Sequence, residues 1–237
     1  MDLVARLRDG RWLVTSAHMP SWTQGHGMYR DTLRVGILAG LSTAGRVRWV
    51  PASYPGMSLF AYMPSDDQSQ WWVGGLMLAA TTIVRAGGDT LYVGDTATPY
   101  LDRWSPDGQR LPRLTLPLPP TPDLQLLRDA ERDEALARPG ADEERGQILA
   151  MHGVARVQPR YRDFLVAASG DLWVRLYGRT PADSTRYLVL SPDATVRARL
   201  ALPPRSRVLA VDAPLVFVET LDGDDVPTVG VVRWVPR

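Results

Sequence analysis

The chain has 237 residues, 45% of them hydrophobic, and a formal net charge of +1 at pH 7. This apolar fraction is ordinary for a globular domain and too high for an intrinsically disordered chain. Cysteine is absent, which excludes disulfides, thiolate metal sites and cysteine nucleophiles. The 27 basic residues are all arginines spread among 26 acidic residues, so no basic patch indicates a nucleic-acid partner.

Two kinds of apolar segment are missing from the sequence. No window reaches the roughly 18 apolar residues that a transmembrane helix needs, so no membrane span is predicted. The first eight residues alternate between apolar and polar or charged side chains and lack the apolar stretch of a signal peptide.

Short segments of alternating apolar residues dominate the chain and predict an all-β fold. Early in the chain we expect a Gly-, Ser- and His-rich loop over 18–30 and a loop insert over 52–77. Later strands are joined by turns such as Pro106-Asp107-Gly108, where proline presets φ and glycine accepts a positive φ. The strands group into units at about 1–51, 78–118, 161–203 and 206–236, and the last has three strands instead of four.

One segment departs from the β pattern. The run Pro119-Pro120-Thr121-Pro122 cannot occupy a central strand. Leucines among alternating charges over 123–136, with Thr121 or Asp123 as the N-cap, predict a charged, partly exposed helix. We place a helical insert at 119–155.

Two stretches of the chain are nearly the same. Ser105-Pro106-Asp107 and the following Arg113-Leu114-Thr115-Leu116-Pro117 return 86 residues later as Ser191-Pro192-Asp193 and Arg199-Leu200-Ala201-Leu202-Pro203. Without the helical insert this period shortens to roughly 45–55 residues, close to a four-stranded propeller blade. We predict one β-propeller domain over 1–237 with about four four-stranded blades, the last lacking a strand. A β-sandwich is the main alternative, but it does not explain the repeated segments.

The repeats also resemble a known family. The motifs at 170–175 (Gly-Asp-Leu-Trp-Val-Arg), 188–193 (Leu-Val-Leu-Ser-Pro-Asp) and 200–203 resemble the closing blades of NHL-like six-bladed β-propeller proteins, a mostly uncharacterised bacterial family. The motifs at 88–95 and 105–108 are similar to the preceding blade. The resemblance covers about 78–236. It implies a partial six-bladed propeller, a fragment holding the C-terminal four blades, and an exported or periplasmic full-length protein; a four-bladed ring is the alternative.

These motifs specify a scaffold and no reaction. We therefore predict a non-enzymatic propeller that binds a peptide, protein or small ligand at its loop face, without a cofactor. The alternative is a channel-centred, metal-dependent lactonase, another hydrolase, or a lyase, which would need a divalent cation such as calcium. The enzyme is disfavoured because the position equivalent to Asp95 in the next unit is the apolar Leu176.

The candidate ligand-binding residues lie in two predicted loops. His18, Trp22 and His26 share the loop over 18–30, and their imidazoles are suited to metal binding or acid–base chemistry. Their spacing fits no ligand template, so an exposed loop without such a role is the alternative. Trp71 and Trp72 follow a polar run and are candidates for stacking on a sugar or peptide, with packing over a blade edge as the alternative.

Asp95 is the candidate metal ligand. It ends a predicted second strand, and acidic residues that line a propeller channel bind cations in lactonase-type propellers, which the fold resembles. Three further aspartates, Asp102, Asp107 and Asp193, are assigned to turns.

Overall fold

The computed structural model describes residues 2–6, 12–18, 27–41, 49–63, 72–75, 78–105, 108–121, 123–137, 157–178, 180 and 182–234. Strands dominate these residues and form four antiparallel sheets that follow one another along the chain. The predicted all-β class is therefore confirmed. Among the described residues, no helix has the length and hydropathy to cross a membrane.

Sheet A contains the first five strands in sequential order. They are β1 (Asp2–Arg6), β2 (Trp12–His18), β3 (Gly27–Leu41), β4 (Trp49–Met63) and β5 (Trp72–Gly75). The prediction of a loop over 52–77 is wrong for two parts of this segment, because it contains most of β4 and all of β5. Pro55 lies within β4, beside a register shift in the β3–β4 pairing, where a missing N–H is tolerated.

Sheets B and C have four strands each. Sheet B contains β6 (Thr82–Gly87), β7 (Thr90–Asp95), β8 (Tyr100–Trp104) and β9 (Arg110–Thr115); sheet C contains β10 (Asp163–Val166), β11 (Leu172–Arg175), β12 (Thr185–Leu190) and β13 (Val196–Leu202). The last hairpin of each sheet closes in the same way. Ser105 N–H donates to the Gln109 carbonyl at 2.8 Å, and 86 residues on Ser191 N–H donates to the Thr195 carbonyl at 2.9 Å.

Sheet D contains β14 (Ser206–Asp212), β15 (Leu215–Leu221) and β16 (Pro227–Arg233), so this last group has three strands, as predicted. The helix α1 (Leu124–Ala137) lies within the predicted helical insert. The carboxylate of Asp123 accepts a hydrogen bond from the Gln125 N–H at 2.9 Å, which caps the helix. Positions 122 and 138–155 of the insert lie outside the described residues.

The sheets pack face to face in chain order. Sheet C is buried on both faces: Leu172 and Val174 of β11 pack toward sheet B, and Trp173 between them packs toward sheet D. Sheet B is likewise covered on two sides, since Tyr92 packs toward sheet C while its neighbour Val93 packs near Tyr54 of sheet A. This alternation explains why these strands are apolar at successive positions, as two-sided burial requires.

One glycine marks the closest approach of sheet B to the chain before β10. A Cβ atom at Gly94 would lie 2.6 Å from Leu101 Cδ2 and closer still to the hydroxyl of Tyr161, which is fully buried. A side chain at position 94 would therefore push these two elements apart.

Candidate functional site

A pocket of about 220 Å³ lies where sheet A meets sheet B. Alternate residues of β7 and β8 share one face of sheet B, which directs two side chains from each of these strands into the pocket. Arg113 of β9 and a short stretch of β4 complete the walls. The lining residues are Tyr54, Pro55, Val93, Asp95, Thr98, Tyr100, Asp102 and Arg113.

Asp102 holds two arginines at this pocket. Its Oδ1 accepts hydrogen bonds from Arg113 Nε at 2.7 Å and from an Nη of Arg110 at 3.1 Å. Burial of the carboxyl acts to raise the pKa of Asp102, but the hydrogen bonds and charges of Arg113 and Arg110 outweigh it and lower that pKa below 3.8. Asp102 is therefore ionised at neutral pH, and the three residues together carry a charge of +1.

Aromatic rings fix the positions of the two guanidinium groups. Arg113 lies over the ring of Tyr100 at 5.4 Å from its centroid, and Arg110 lies over Trp104 at 5.8 Å. Trp104 Nε1 donates to the Tyr54 hydroxyl at 3.1 Å, which ties sheet B to sheet A. Burial is the main cause that raises the pKa of Tyr54, and the nearby carboxylate of Asp102 adds to it, so this hydroxyl stays protonated.

Asp95 lines the same pocket but is engaged with its own turn. Its Oδ1 accepts from the Ala97 N–H at 2.9 Å, and its carbonyl accepts from the Thr98 hydroxyl at 3.1 Å. This is the hydrogen-bond pattern of an aspartate that forms a turn. Over the described part of the chain, no three His, Asp or Glu side chains converge as metal ligands. The metal role of Asp95 remains a prediction.

The predicted loop residues are not brought together by the described backbone. His18 ends β2 and pairs with Arg34, whereas Trp72 begins β5 and lies in the row of Tyr62 and Met28. Positions 28 and 34 are six residues apart on β3, which separates the two rows by about 20 Å at 3.3 Å per residue. The other three candidates, Trp22, His26 and Trp71, lie outside the described residues.

The four residues that give the pocket its chemistry were missed in the sequence. Tyr54, Tyr100 and Arg113 were not singled out, and the assignment of Asp102 to a turn is wrong, because Asp102 lies within β8. Asp193 does lie in a turn, where its carboxylate accepts from the Ser191 hydroxyl. Asp107 lies outside the described residues. One feature of the sequence could have identified Asp102. The repeat places the apolar Leu188 at the equivalent position, so an aspartate at position 102 departs from the repeated pattern.

Comparison with known proteins adds little. No family model matches the chain, and no curated protein matches it. A solved structure of a luciferin-regenerating enzyme is similar to 97% of this chain and 65% of that chain, with 13% identical residues and a TM-score of 0.31. This chain thus spans about two thirds of that protein's length, and the TM-score is too low for the likeness to carry an argument about fold or function.

Proposed function

We propose that the chain is a non-enzymatic scaffold of propeller blades that binds a small ligand, or one side chain of a peptide, in the pocket between sheets A and B. The observation that carries this proposal is the pocket itself, which lies between two sheets and combines aromatic walls with fixed charges. Ligand sites in proteins combine an apolar lining with a few well-placed polar groups in this way.

The stacking of the sheets supports the propeller arrangement. Each of sheets B, C and D is an antiparallel meander in strand order, as in a propeller blade. The first strands of neighbouring sheets also approach each other, with β1 in contact with β6 and β6 in contact with β10. In a propeller, first strands line the centre and contact one another in this sequence. Six blades and membership of the NHL-like family remain predictions.

The size and polarity of the pocket indicate what it accepts. At about 220 Å³ it is smaller than the roughly 300–1,000 Å³ typical of drug-sized ligands, so a single ring or one side chain fits better than an extended molecule. Its polar groups are mostly engaged: Asp102 with two arginines and Asp95 with its turn. Groups held in this way are suited to orienting a ligand. The channel-centred hydrolase or lyase remains the alternative prediction.

Filling the pocket tests the proposal. Thr98 lines the pocket from the turn after β7, so the variant Thr98→Trp places an indole in the space. Thr180 lies between β11 and β12 and donates to Asp183 at 3.2 Å, which makes Thr180→Trp a matched control in sheet C. Ligand-observed NMR with single-ring acids, amides, amines and sugars measures binding.

We expect wild type and Thr180→Trp to bind the same compounds with the same affinity, and Thr98→Trp to bind them at least ten-fold more weakly. Equal binding by Thr98→Trp and wild type would place the ligand elsewhere and overturn the proposal. Conversion of any of these compounds by the wild type would support the enzymatic alternative instead.

A further inference from the structure

Arg113 is held so that most of its hydrogen-bonding capacity remains unused. Its Nε bonds Asp102, and its plane lies over Tyr100, so the side chain is fixed at two points while 49% of it stays exposed. The two Nη groups, which carry four of the five donors of a guanidinium, have no hydrogen-bond partner among the described residues. A pre-positioned pair of Nη groups matches the two oxygens of a carboxylate.

The charge around Arg113 is positive even though two aspartates line the pocket. Asp102 is matched by two arginines, so that cluster carries a net charge of +1. Asp95 ends β7, on the far side of β8 from Arg113, and its carboxylate is bonded to the Ala97 N–H. An anion at the Arg113 end therefore meets a cation first, with the carboxylate of Asp95 at the opposite end.

We propose that the ligand of this pocket carries a carboxylate, which binds to the Nη groups of Arg113 while a small flat apolar body packs among Tyr54, Pro55 and Val93. The inference rests on the proposed function, because it needs the pocket to be a binding site. It names the class of ligand: a monocyclic aromatic or similarly compact carboxylic acid, free or as the acidic side chain of a peptide.

The repeat provides the matched control. Arg199 in sheet C occupies the position of Arg113, 86 residues on, and is also exposed. It faces Leu188 in its strand pairing, where Arg113 has Asp102. Both arginines carry the same charge on the same kind of strand, but only Arg113 is fixed by a carboxylate and an aromatic ring.

Three probes of nearly the same shape show whether the charge of a ligand decides its affinity for the pocket. Benzoate, benzamide and benzamidine are nearly isosteric and are anionic, neutral and cationic. Titration of the wild-type chain, followed by NMR, should show benzoate binding at least ten-fold more tightly than benzamide, with benzamidine weakest. Arg113→Gln should reduce the affinity for benzoate to that for benzamide and leave benzamide unchanged. Arg199→Gln should change neither affinity, and Arg113→Lys should recover only part of the benzoate affinity because it lacks the planar fork.

The outcomes distinguish the inference from the proposed function. Equal affinity for all three probes, lost in Thr98→Trp, would keep the pocket as a binding site and overturn the carboxylate. Equal loss of benzoate binding in Arg113→Gln and Arg199→Gln would show nonspecific attraction to positive charge and also overturn it. If no probe binds at millimolar concentration, the carboxylate inference fails, while the broader compound set still tests the pocket.

Discussion

Sheets B and C have the same backbone plan but different chemistry between their strands. Their last hairpins close with equivalent hydrogen bonds, and Leu101 pairs with Leu114 just as Tyr187 pairs with Leu200. The face that sheet C turns toward sheet B is apolar and contains the buried residues Leu188 and Leu190. The corresponding face of sheet B, turned toward sheet A, contains Asp102 and Trp104 and forms one side of the pocket.

This difference shows how one sheet of a repeated plan comes to line a pocket. Stacked sheets need apolar side chains on both faces, and sheet C meets this need at every buried position of β12 from Tyr187 to Leu190. A carboxylate in such a contact is costly unless it is fully paired. Sheet B satisfies Asp102 with two arginines that reach it from β9, and one of them, Arg113, also lines the pocket.

The most severe test of this comparison introduces an aspartate into the apolar contact between sheets B and C. Leu188 is 2% exposed among leucines, valines and aromatic residues, and it pairs with Val174 and Arg199, whereas Asp102 is bonded by two arginines. Leu188→Asp should therefore lower the free energy of unfolding by about 3 kcal/mol, because it buries a carboxylate with one exposed arginine opposite it. Urea unfolding followed by circular dichroism measures the change.

The reverse exchange serves as the control. Asp102→Leu places an apolar side chain beside Val93 and leaves Arg110 and Arg113, which are about half exposed, to solvent, so we expect a change below about 1.5 kcal/mol. The Leu188→Asp variant should also regain part of its stability at low pH, where the new carboxyl is protonated. If the two variants cost the same free energy, the two contacts do not differ as described.

The sequence was sufficient to predict the repeating part of the structure. Turn signals and alternation placed β6 to β16 and the three-stranded last sheet. The apolar pattern is clearest in β7, β11 and β12, which are buried at successive positions. The segment over 52–77 was misjudged because its prolines and glycines are turn signals, whereas long-range pairing with β3 and β5 extends β4 through them. Such pairing is a tertiary effect that local propensity does not contain.

The pocket was not predictable for a different reason. Its residues are distant in sequence: Tyr54 lies 50 positions before the Trp104 indole that donates to it. An aspartate such as Asp102 has a local signature that also fits a turn, and only the sheet register shows that it faces Arg113. His18 was selected for its chemical type, which says nothing about what surrounds it. Asp95 was selected for its place at a strand end, and it does line the pocket, where it bonds its own turn.

The ion pairs of Asp102 also make a prediction about pH. Since the folded state lowers the pKa of Asp102, its contribution to stability is present above the ordinary value of 3.8 and is lost as pH falls through the folded-state value. At pH 7 we expect Asp102→Asn to be less stable than wild type by about 1 kcal/mol, because the arginine partners are half exposed and screened. The difference should shrink as pH falls below 3.8 and disappear once Asp102 is protonated in the folded state.

Urea unfolding at a series of pH values measures this difference directly. Asp193→Asn is a useful comparison, because Asp193 in sheet C also has a lowered pKa but is bonded to turn groups, first of all the Ser191 hydroxyl, and to no arginine. Added salt should therefore reduce the effect of Asp102→Asn and leave that of Asp193→Asn nearly unchanged. A gap between wild type and Asp102→Asn that does not shrink as pH falls below 3.8 would mean that the ion pairs are not its cause.

The smallest expected effects concern the two equivalent turns. Gly108 has φ of +81°, and Ala194, at the same place in the repeat, has φ of +68°. A left-handed conformation costs an L-residue about 1–2 kcal/mol, whereas glycine adopts it freely but has more conformational entropy to lose. Gly108→Ala should thus destabilise the chain by about 1 kcal/mol. Ala194→Gly should stabilise it by about 0.5 kcal/mol, since the lost methyl contact with the core cluster offsets part of the gain.

Both changes are measured as shifts in the urea midpoint at constant slope. Effects of the same sign for the two variants would contradict the equivalence of the turns, because equivalent left-handed positions should both favour glycine.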